Sequence, residues 1–256
     1  GVALRAVADR SFETKGENIP VLPARVSRFA DARELLSDPE IDCVVIATPA
    51  STHATLAIAA LEHGKHVLVE KPMAMNMVEA EQMRDVVGKS NRIFMGGNQY
   101  LCHDYIRHLK EKLDEGILDT VKYVFAEHLY FGPIRSDSGC FWETAVHEIS
   151  LLDHLFSPGE ILEAAGRSVD FLQSGRDDFT SVQMAFAGGL TAAITVSWFA
   201  PEKVRRMTIA GDRGMAVFDD RRREKLKFFL HPYPVLSSDT AVLSRFMKYS
   251  EKEIIT

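Results

Sequence analysis

Two residues of this 256-residue chain stand where proton chemistry would need them. His66-Val67-Leu68-Val69-Glu70-Lys71-Pro72 is a short apolar run that ends on a lysine between a glutamate and a proline. Such a run, bounded by a breaker, reads as a buried parallel strand, and ligands of open α/β sheets gather outside the carboxyl ends of those strands. Pro72 fixes its own φ and biases Lys71 toward an extended backbone, so the ammonium sits on a stiff turn, placed to hold or polarise a substrate oxygen. The second candidate, His147, lies in Cys140-Phe141-Trp142-Glu143-Thr144-Ala145-Val146-His147-Glu148-Ile149. Its imidazole, with an ordinary pKa of about 6.5, can take a hydroxyl proton at neutral pH. Ile149, Leu152 and Phe156 predict a buried helical face here, with His147 near the first turn. On the residues alone, Lys71 also reads as a surface lysine at a strand end, and His147 as a core or surface histidine.

The elements that must position these groups alternate. Ile41-Asp42-Cys43-Val44-Val45-Ile46-Ala47-Thr48-Pro49 predicts an earlier apolar strand. A helix follows, capped at its start by Ser51 or Thr52, carrying Leu56, Ile58, Ala59 and Leu61, and closing at Gly64. After Lys71, a helix over 76–87 and a strand over 92–97 extend the pattern to a parallel sheet with right-handed crossovers. At the front, Val2 to Asp9 reads as a strand ending on an acid, like the second strand of a dinucleotide-binding fold, whose carboxylate accepts from the adenosine ribose hydroxyls. The glycine-rich turn and strand that come before it in that fold are not in this sequence. Between Ser11 and Pro23, moreover, Gly16, Pro20 and Pro23 replace a helical period. The expectation is a sequence with segments missing before Gly1 and near Glu13 to Asn18; the alternative is a degenerate protein that has lost its cofactor.

Past Gly97 the period changes. Tyr105, Ile106, Leu109 and Leu113 share a helical face that runs to about Gly116, and alternation begins at Val121. Strands are predicted over 180–187 and 190–199, joined at Gly188-Gly189 as a two-residue hairpin, then over 204–210 and 214–218. Leu190, Ala192, Ile194, Val196 and Trp198 form one face; Thr191, Ala193, Thr195, Ser197 and Phe199 form the other, suited to solvent or to a second subunit. The predicted division is 1–100 for a Rossmann-type parallel domain and 101–256 for an α+β domain with an open antiparallel sheet.

Ala47-Thr48-Pro49 and Glu70-Lys71-Pro72, with Ser51-Thr52-His53 between them, resemble the glucose-fructose oxidoreductase/inositol dehydrogenase (Gfo/Idh/MocA) family of NAD(P)-dependent oxidoreductases. The resemblance implies NAD, with NADP less favoured, held by Asp9, Arg10, Thr48, Pro49, Ser51, His53, Glu70, Lys71 and Asn98. It implies Lys71 and His147 as the catalytic pair. Family members carry an aspartate four residues before the histidine, where this chain has Glu143. Gly96-Gly97-Asn98-Gln99-Tyr100 would face nicotinamide and substrate; Tyr100, Leu101 and Cys102 depart from the family's usual arginine and phenylalanine. The family likeness thus implies Gln99 and Glu143 as substrate contacts; Phe131 to Asp137 and Ser197 to Arg206 look most like members acting on nucleotide-linked sugars, which adds Arg135, Lys203 and Arg205, the cations meeting a diphosphate. The implied reaction moves hydride between a sugar hydroxyl carbon and nicotinamide, and the implied assembly is a homodimer or homotetramer through the open sheet. Two other readings are an NAD-dependent glycosidase of the same family and a non-catalytic binding or scaffold protein.

Composition narrows the classes. With 46% hydrophobic and 26% charged residues the chain reads as a globular protein, and no apolar run is long enough for a membrane span. A net charge of −6 supplies no basic field for nucleic acid. Cys43, Cys102 and Cys140 are odd in number and widely spaced, which fits a reducing cytoplasm better than a disulfide framework. Arg221-Arg222-Arg223 follows Asp219-Asp220 and reads as a solvated turn. No metal is expected: His147 and His154 share a helix face but lie about 10 Å apart, too far for one ion. Gly96-Gly97 has neither the spacing nor the lysine of a phosphate loop.

Overall fold

A computed structural model describes residues 1–14, 22–132, 134, 135 and 137–230. Gly16 and Pro20, and the His231-Pro232-Tyr233-Pro234 stretch with the tail behind it, lie outside the described residues. The chain divides into two compact units, 1–97 and 98–256.

In the first unit, β1 (Ala6–Ala8) pairs in parallel with β2 (Ser27–Phe29), and β3 (Cys43–Ile46), β4 (His66–Val69) and β5 (Phe94–Gly96) form a second parallel sheet in that order. The strand expected from Val2 is shorter because its ladder reaches only from Arg5, whose carbonyl accepts from Ser27, to Asp9, whose N–H donates to Phe29. The stretch after Asp9 opens on one helical turn, α1 (Ser11–Thr14), where none was expected. The Asp9 carboxylate accepts the Ser11 N–H at 2.8 Å, which starts that turn. A short α2 (Ala32–Ser37) is capped by Asp31, whose side chain accepts from the Arg33 N–H.

The crossover helices lie at α3 (His53–Glu62) and α4 (Met77–Lys89). Ala57 and Ala60, both 0% exposed, let α3 lie close to the sheet, where Val44, Ile46, Val67 and Val69 meet it. Val45, however, is 69% exposed, so this apolar strand is buried on one face only among the described residues. The predicted side-chain cap of α3 is also absent: Thr52 spends its hydroxyl on the Pro49 carbonyl at 2.8 Å and on Thr48, while residues 50–52 form a 3-10 turn. Gly64 does close the helix, at φ 71°, with its N–H on Leu61 and the Lys65 N–H on Ala60. α4 opens on Asn76, whose carbonyl oxygen accepts the Glu79 N–H at 2.9 Å.

The second unit contains α5 (Asp104–Asp114), β6 (Val121–Phe131), α6 (Cys140–Phe156), β7 (Ile161–Val169), β8 (Phe179–Phe186), β9 (Thr191–Ser197), β10 (Phe199–Gly211), β11 (Gly214–Asp219) and β12 (Leu226–Leu230). The seven strands form one sheet in the order β12-β11-β10-β6-β9-β8-β7. It is the expected antiparallel sheet with one parallel pair at its centre, β6–β9. The β8–β9 hairpin has three loop residues rather than two: Phe186 pairs with Leu190, and Gly189 takes φ 82°, the turn-plus-left-handed geometry common in such loops. Leu190, Ala192, Ile194, Val196 and Trp198 are all buried, under α6 residues Leu151, Leu152 and Leu155.

The opposite face follows the expected alternation with one exception. Ser197 is buried, its hydroxyl donating to the Asp178 carbonyl at 3.0 Å. The face of α6 also differs from expectation, since Ile149 is 42% exposed and the buried stripe runs through Thr144, Glu148, Leu151 and Leu155. No described helix is long and apolar enough to cross a membrane.

Candidate active site

The carboxyl ends of the parallel strands carry most of the predicted residues of the first unit. Asp9 and Arg10 follow β1, Thr48 and Pro49 follow β3, Glu70 and Lys71 follow β4, and Asn98 lies two residues beyond β5. Hydrogen bonds from Ser11 hold the Asp9 carboxyl below the ordinary range, so it stands ionised and exposed at the strand end. Ser51 is exposed in the 3-10 turn. His53 is placed differently from the cofactor contact expected of it. The ring is 2% exposed, with Nδ1 2.8 Å from the Pro72 carbonyl oxygen and Nε2 2.8 Å from that of Thr48. It is a strut that ties the turn after β3 to the turn after β4, the two turns whose spacing first suggested a site.

Lys71 is half-buried, and the Lys71–Pro72 peptide is cis. Glu70 folds back: its carboxylate accepts the Lys71 N–H at 3.3 Å, and a Cβ added at Gly97 would meet Glu70 Oε2 at 2.9 Å. Glycine at 97 thus suits the close passage of the β4 and β5 ends, where an added Cβ would also lie 3.2 Å from Glu70 Cα. A dinucleotide fits this donor set. An exposed, ionised carboxylate ends β1, hydroxyl and amide groups end β3 and β5, and a cation ends β4.

In the second unit, His147 is 5% exposed and lies two turns into α6 rather than in its first turn. The helix starts earlier than its own sequence suggests because Asp177, from the loop before β8, accepts the Phe141 N–H at 2.7 Å and receives the Cys140 thiol at 3.1 Å. Burial, then this carboxylate, push that thiol well above its ordinary pKa and keep it protonated. Around His147 is a set of polar groups that the sequence did not single out. Tyr100 meets its ring edge-on at 5.3 Å between centroids, and His128 stacks on it at 5.8 Å and 22°. Glu148 accepts from His128 Nδ1 at 2.9 Å.

The Tyr100 hydroxyl donates to Asp220 at 3.3 Å, and Asp220 also faces Arg205 at 3.5 Å and Lys225 at 2.5 Å. Burial alone would raise the Asp220 pKa, but the Lys225 ammonium, Arg205 and the Tyr100 hydroxyl outweigh it and hold the carboxyl low. Burial pushes the Tyr100 phenol up to about 12, so it remains a donor at neutral pH. Glu143 is 4% exposed and pairs with Arg135 at 3.3 Å. Gln99 and Lys203 are exposed. The sequence did name Arg205, yet its partner Asp220 was taken for part of a solvated turn. Only the tail of that turn, Arg221-Arg222-Arg223, is exposed. Among the described residues no three His, Cys, Asp or Glu side chains gather as a metal would require.

Comparison with known proteins adds an independent line. Residues 2–98 match the family described as "Oxidoreductase family, NAD-binding Rossmann fold", and residues 106–217 match "GFO/IDH/MocA C-terminal domain". A levoglucosan dehydrogenase of Pseudarthrobacter phenanthrenivorans is 27% identical over 235 residues, covering 77% of this chain and 60% of that protein. A myo-inositol 2-dehydrogenase of Thermotoga maritima is 26% identical over 213 residues, with 77% and 61% covered. The chain therefore spans about 60% of the length of these two relatives. Among solved structures, an oxidoreductase domain protein of Kribbella flavida superposes with a TM-score of 0.78 at 26% identity, over 89% of this chain and 67% of that one.

Proposed function

We propose, since this chain belongs to the GFO/IDH/MocA family of oxidoreductases, that it oxidises a hydroxyl carbon of a sugar or cyclic polyol to the carbonyl with NAD, or reduces that carbonyl with NADH. The observation that carries this reading is Lys71, at the carboxyl end of a parallel strand, on a turn braced from beneath by His53. The dinucleotide supplies the hydride-accepting carbon. The chain supplies the rest: Asp9 receives the ribose hydroxyls, and Thr48, Pro49 and Glu70 border the nicotinamide. The Lys71 ammonium donates to the substrate oxygen and lowers the cost of its developing negative charge, while His147 takes the hydroxyl proton. Glu143, fixed by Arg135, meets a second substrate hydroxyl. Nucleotide-linked sugars are the finer reading, in which the exposed Lys203 and the Arg205 guanidinium bind the diphosphate.

The test is net NADH formation by the purified full chain with levoglucosan, myo-inositol and a UDP-sugar. Accumulation with any of them supports a dehydrogenase, and with the UDP-sugar alone the finer reading. Glycoside cleavage without net NADH favours the hydrolytic alternative, and neither signal across the panel rejects the proposal. Cofactor choice is a separate expectation. Asp9 would face a ribose phosphate with like charge, so NAD should bind more tightly than NADP, and tighter NADP binding in a direct titration would reject Asp9 as the ribose contact.

The open sheet face bearing Thr191, Ala193, Thr195 and Phe199 is proposed as a subunit interface, because small side chains permit sheet packing at about 10 Å. Thr195 is half-buried and Phe199 44% exposed on this face. Under two-fold symmetry, Thr195→Arg would place like charges across the contact and dissociate the oligomer. Light scattering at micromolar concentration checks it: a wild-type monomer, or an oligomer indifferent to Thr195→Arg, removes this interface.

A further inference from the structure

The mechanism above leaves unused a buried histidine–carboxylate pair beside its base. His128 and Glu148 are 3% and 7% exposed, on β6 and α6 respectively, and Glu148 Oε1 lies 2.9 Å from His128 Nδ1. Burying two ionisable groups is costly unless each serves the other, and a carboxylate only accepts, so this contact requires the proton of His128 to sit on Nδ1. Glu148 Oε2 is buried with no hydrogen-bond partner among the described residues, which leaves His128 as the group that holds this carboxylate. The ring so fixed lies nearly parallel to His147, at 5.8 Å and 22°, while Tyr100 closes on His147 edge-first at 80°. His128 also neighbours Tyr130, whose hydroxyl reaches Thr144 at 3.4 Å, so the β6 side of the stack is itself anchored to α6.

We propose that Glu148 and His128 are positioning residues for His147: Glu148 sets the tautomer and plane of His128, and the stacked His128 ring sets the plane of His147. The inference rests on the reading of His147 as the proton acceptor. Its chemical content is orientation, since a base turned away from the hydroxyl loses proton-transfer efficiency even when its affinity for ligands is intact. A merely structural pair would affect folding and leave the His147 ring and the turnover number alone.

The test uses the full chain with 15N-labelled histidine and long-range 1H–15N spectra, which need no substrate. In the wild type, the His128 ring should show a proton on Nδ1 that exchanges slowly with solvent. Glu148→Ala should abolish that proton's protection and move or broaden the His147 ring signals, leaving His154 on the same helix unchanged. Glu148→Gln keeps an oxygen acceptor and should restore the near-native pattern, which guards against a folding defect in the alanine variant. Either a wild-type His128 protonated on Nε2 alone, or His147 signals indifferent to Glu148→Ala, overturns the proposal.

A kinetic arm separates its failure from that of the parent reading. With levoglucosan or myo-inositol as probe, Glu148→Ala should lower kcat more than tenfold with KM within about threefold, and Glu148→Gln should recover most of it. If His147→Ala itself leaves turnover intact, the base assignment fails. If His147→Ala abolishes turnover and Glu148→Ala does not lower it, only the positioning role fails.

Discussion

Replacing His147 or Lys71 by alanine is expected to lower kcat by about a hundredfold or more while leaving NAD affinity within a small factor, since positioned acid–base groups typically contribute about 10²–10⁴ in rate. On the proposed mechanism both groups act on charge that develops on the substrate oxygen during hydride transfer, so their loss should raise the barrier more than it weakens ground-state binding. His147 is 5% exposed and its ring is held by Tyr100 and His128, so alanine removes the acceptor without freeing a surface loop. Lys71 lies on the turn braced by His53 at 2.8 Å, and that brace runs through the backbone carbonyl of Pro72, which Lys71→Ala preserves. Steady-state rates together with direct NAD titration check both variants. Near-native turnover of His147→Ala would make the histidine structural and end the mechanism in its present form.

Trp198→Ala is expected to cost about 3–5 kcal/mol of stability, the range for emptying a large buried aromatic site. Trp198 is 1% exposed on the inward face next to β9, among Leu151, Leu155 and Val196, and its indole N–H donates to Thr144 at 3.3 Å. Two losses therefore combine: the packing of the ring, and the hydrogen bond that ties the sheet to the polar end of α6. Thr144→Val separates them: it keeps the ring in place and removes the Thr144 hydroxyl, which also faces the Tyr130 hydroxyl at 3.4 Å. It should cost about 1–3 kcal/mol, because the buried N–H is then left without a partner. Urea unfolding followed by far-UV circular dichroism measures both. A Trp198→Ala midpoint no lower than that of Thr144→Val would show that the ring contributes little beyond its hydrogen bond.

Much of the fold was legible because it depends on neighbours in sequence. The β3 and β4 strands, the helix that follows Lys71, the closure at Gly64 and the inward row Leu190 to Trp198 all follow from local period, turn chemistry and burial. The same local logic placed Thr48, Glu70 and Lys71 at strand ends. It also explains where expectation and structure part. Ile149 was assigned to the buried face of α6 by its hydrophobicity, yet the face is set by where β6 and β9 lie, and the chain around 149 carries no record of that. The start of α6 was misplaced for a related reason, since its capping carboxylate, Asp177, comes from 36 residues away.

What tertiary structure alone decided is the company His147 keeps. The Glu148–His128 contact spans 20 residues and the Tyr100–Asp220 contact spans 120, and no local pattern marks either pair. His53, which looked like a ligand contact beside Ser51 and Thr52, became a strut only when Thr48 and Pro72 were brought to either side of its ring. Periodicity reports which side of an element is apolar, because solvent sorts residues one by one. The pairing of buried polar groups is decided by the folded chain, because each must find its partner wherever the topology has carried it.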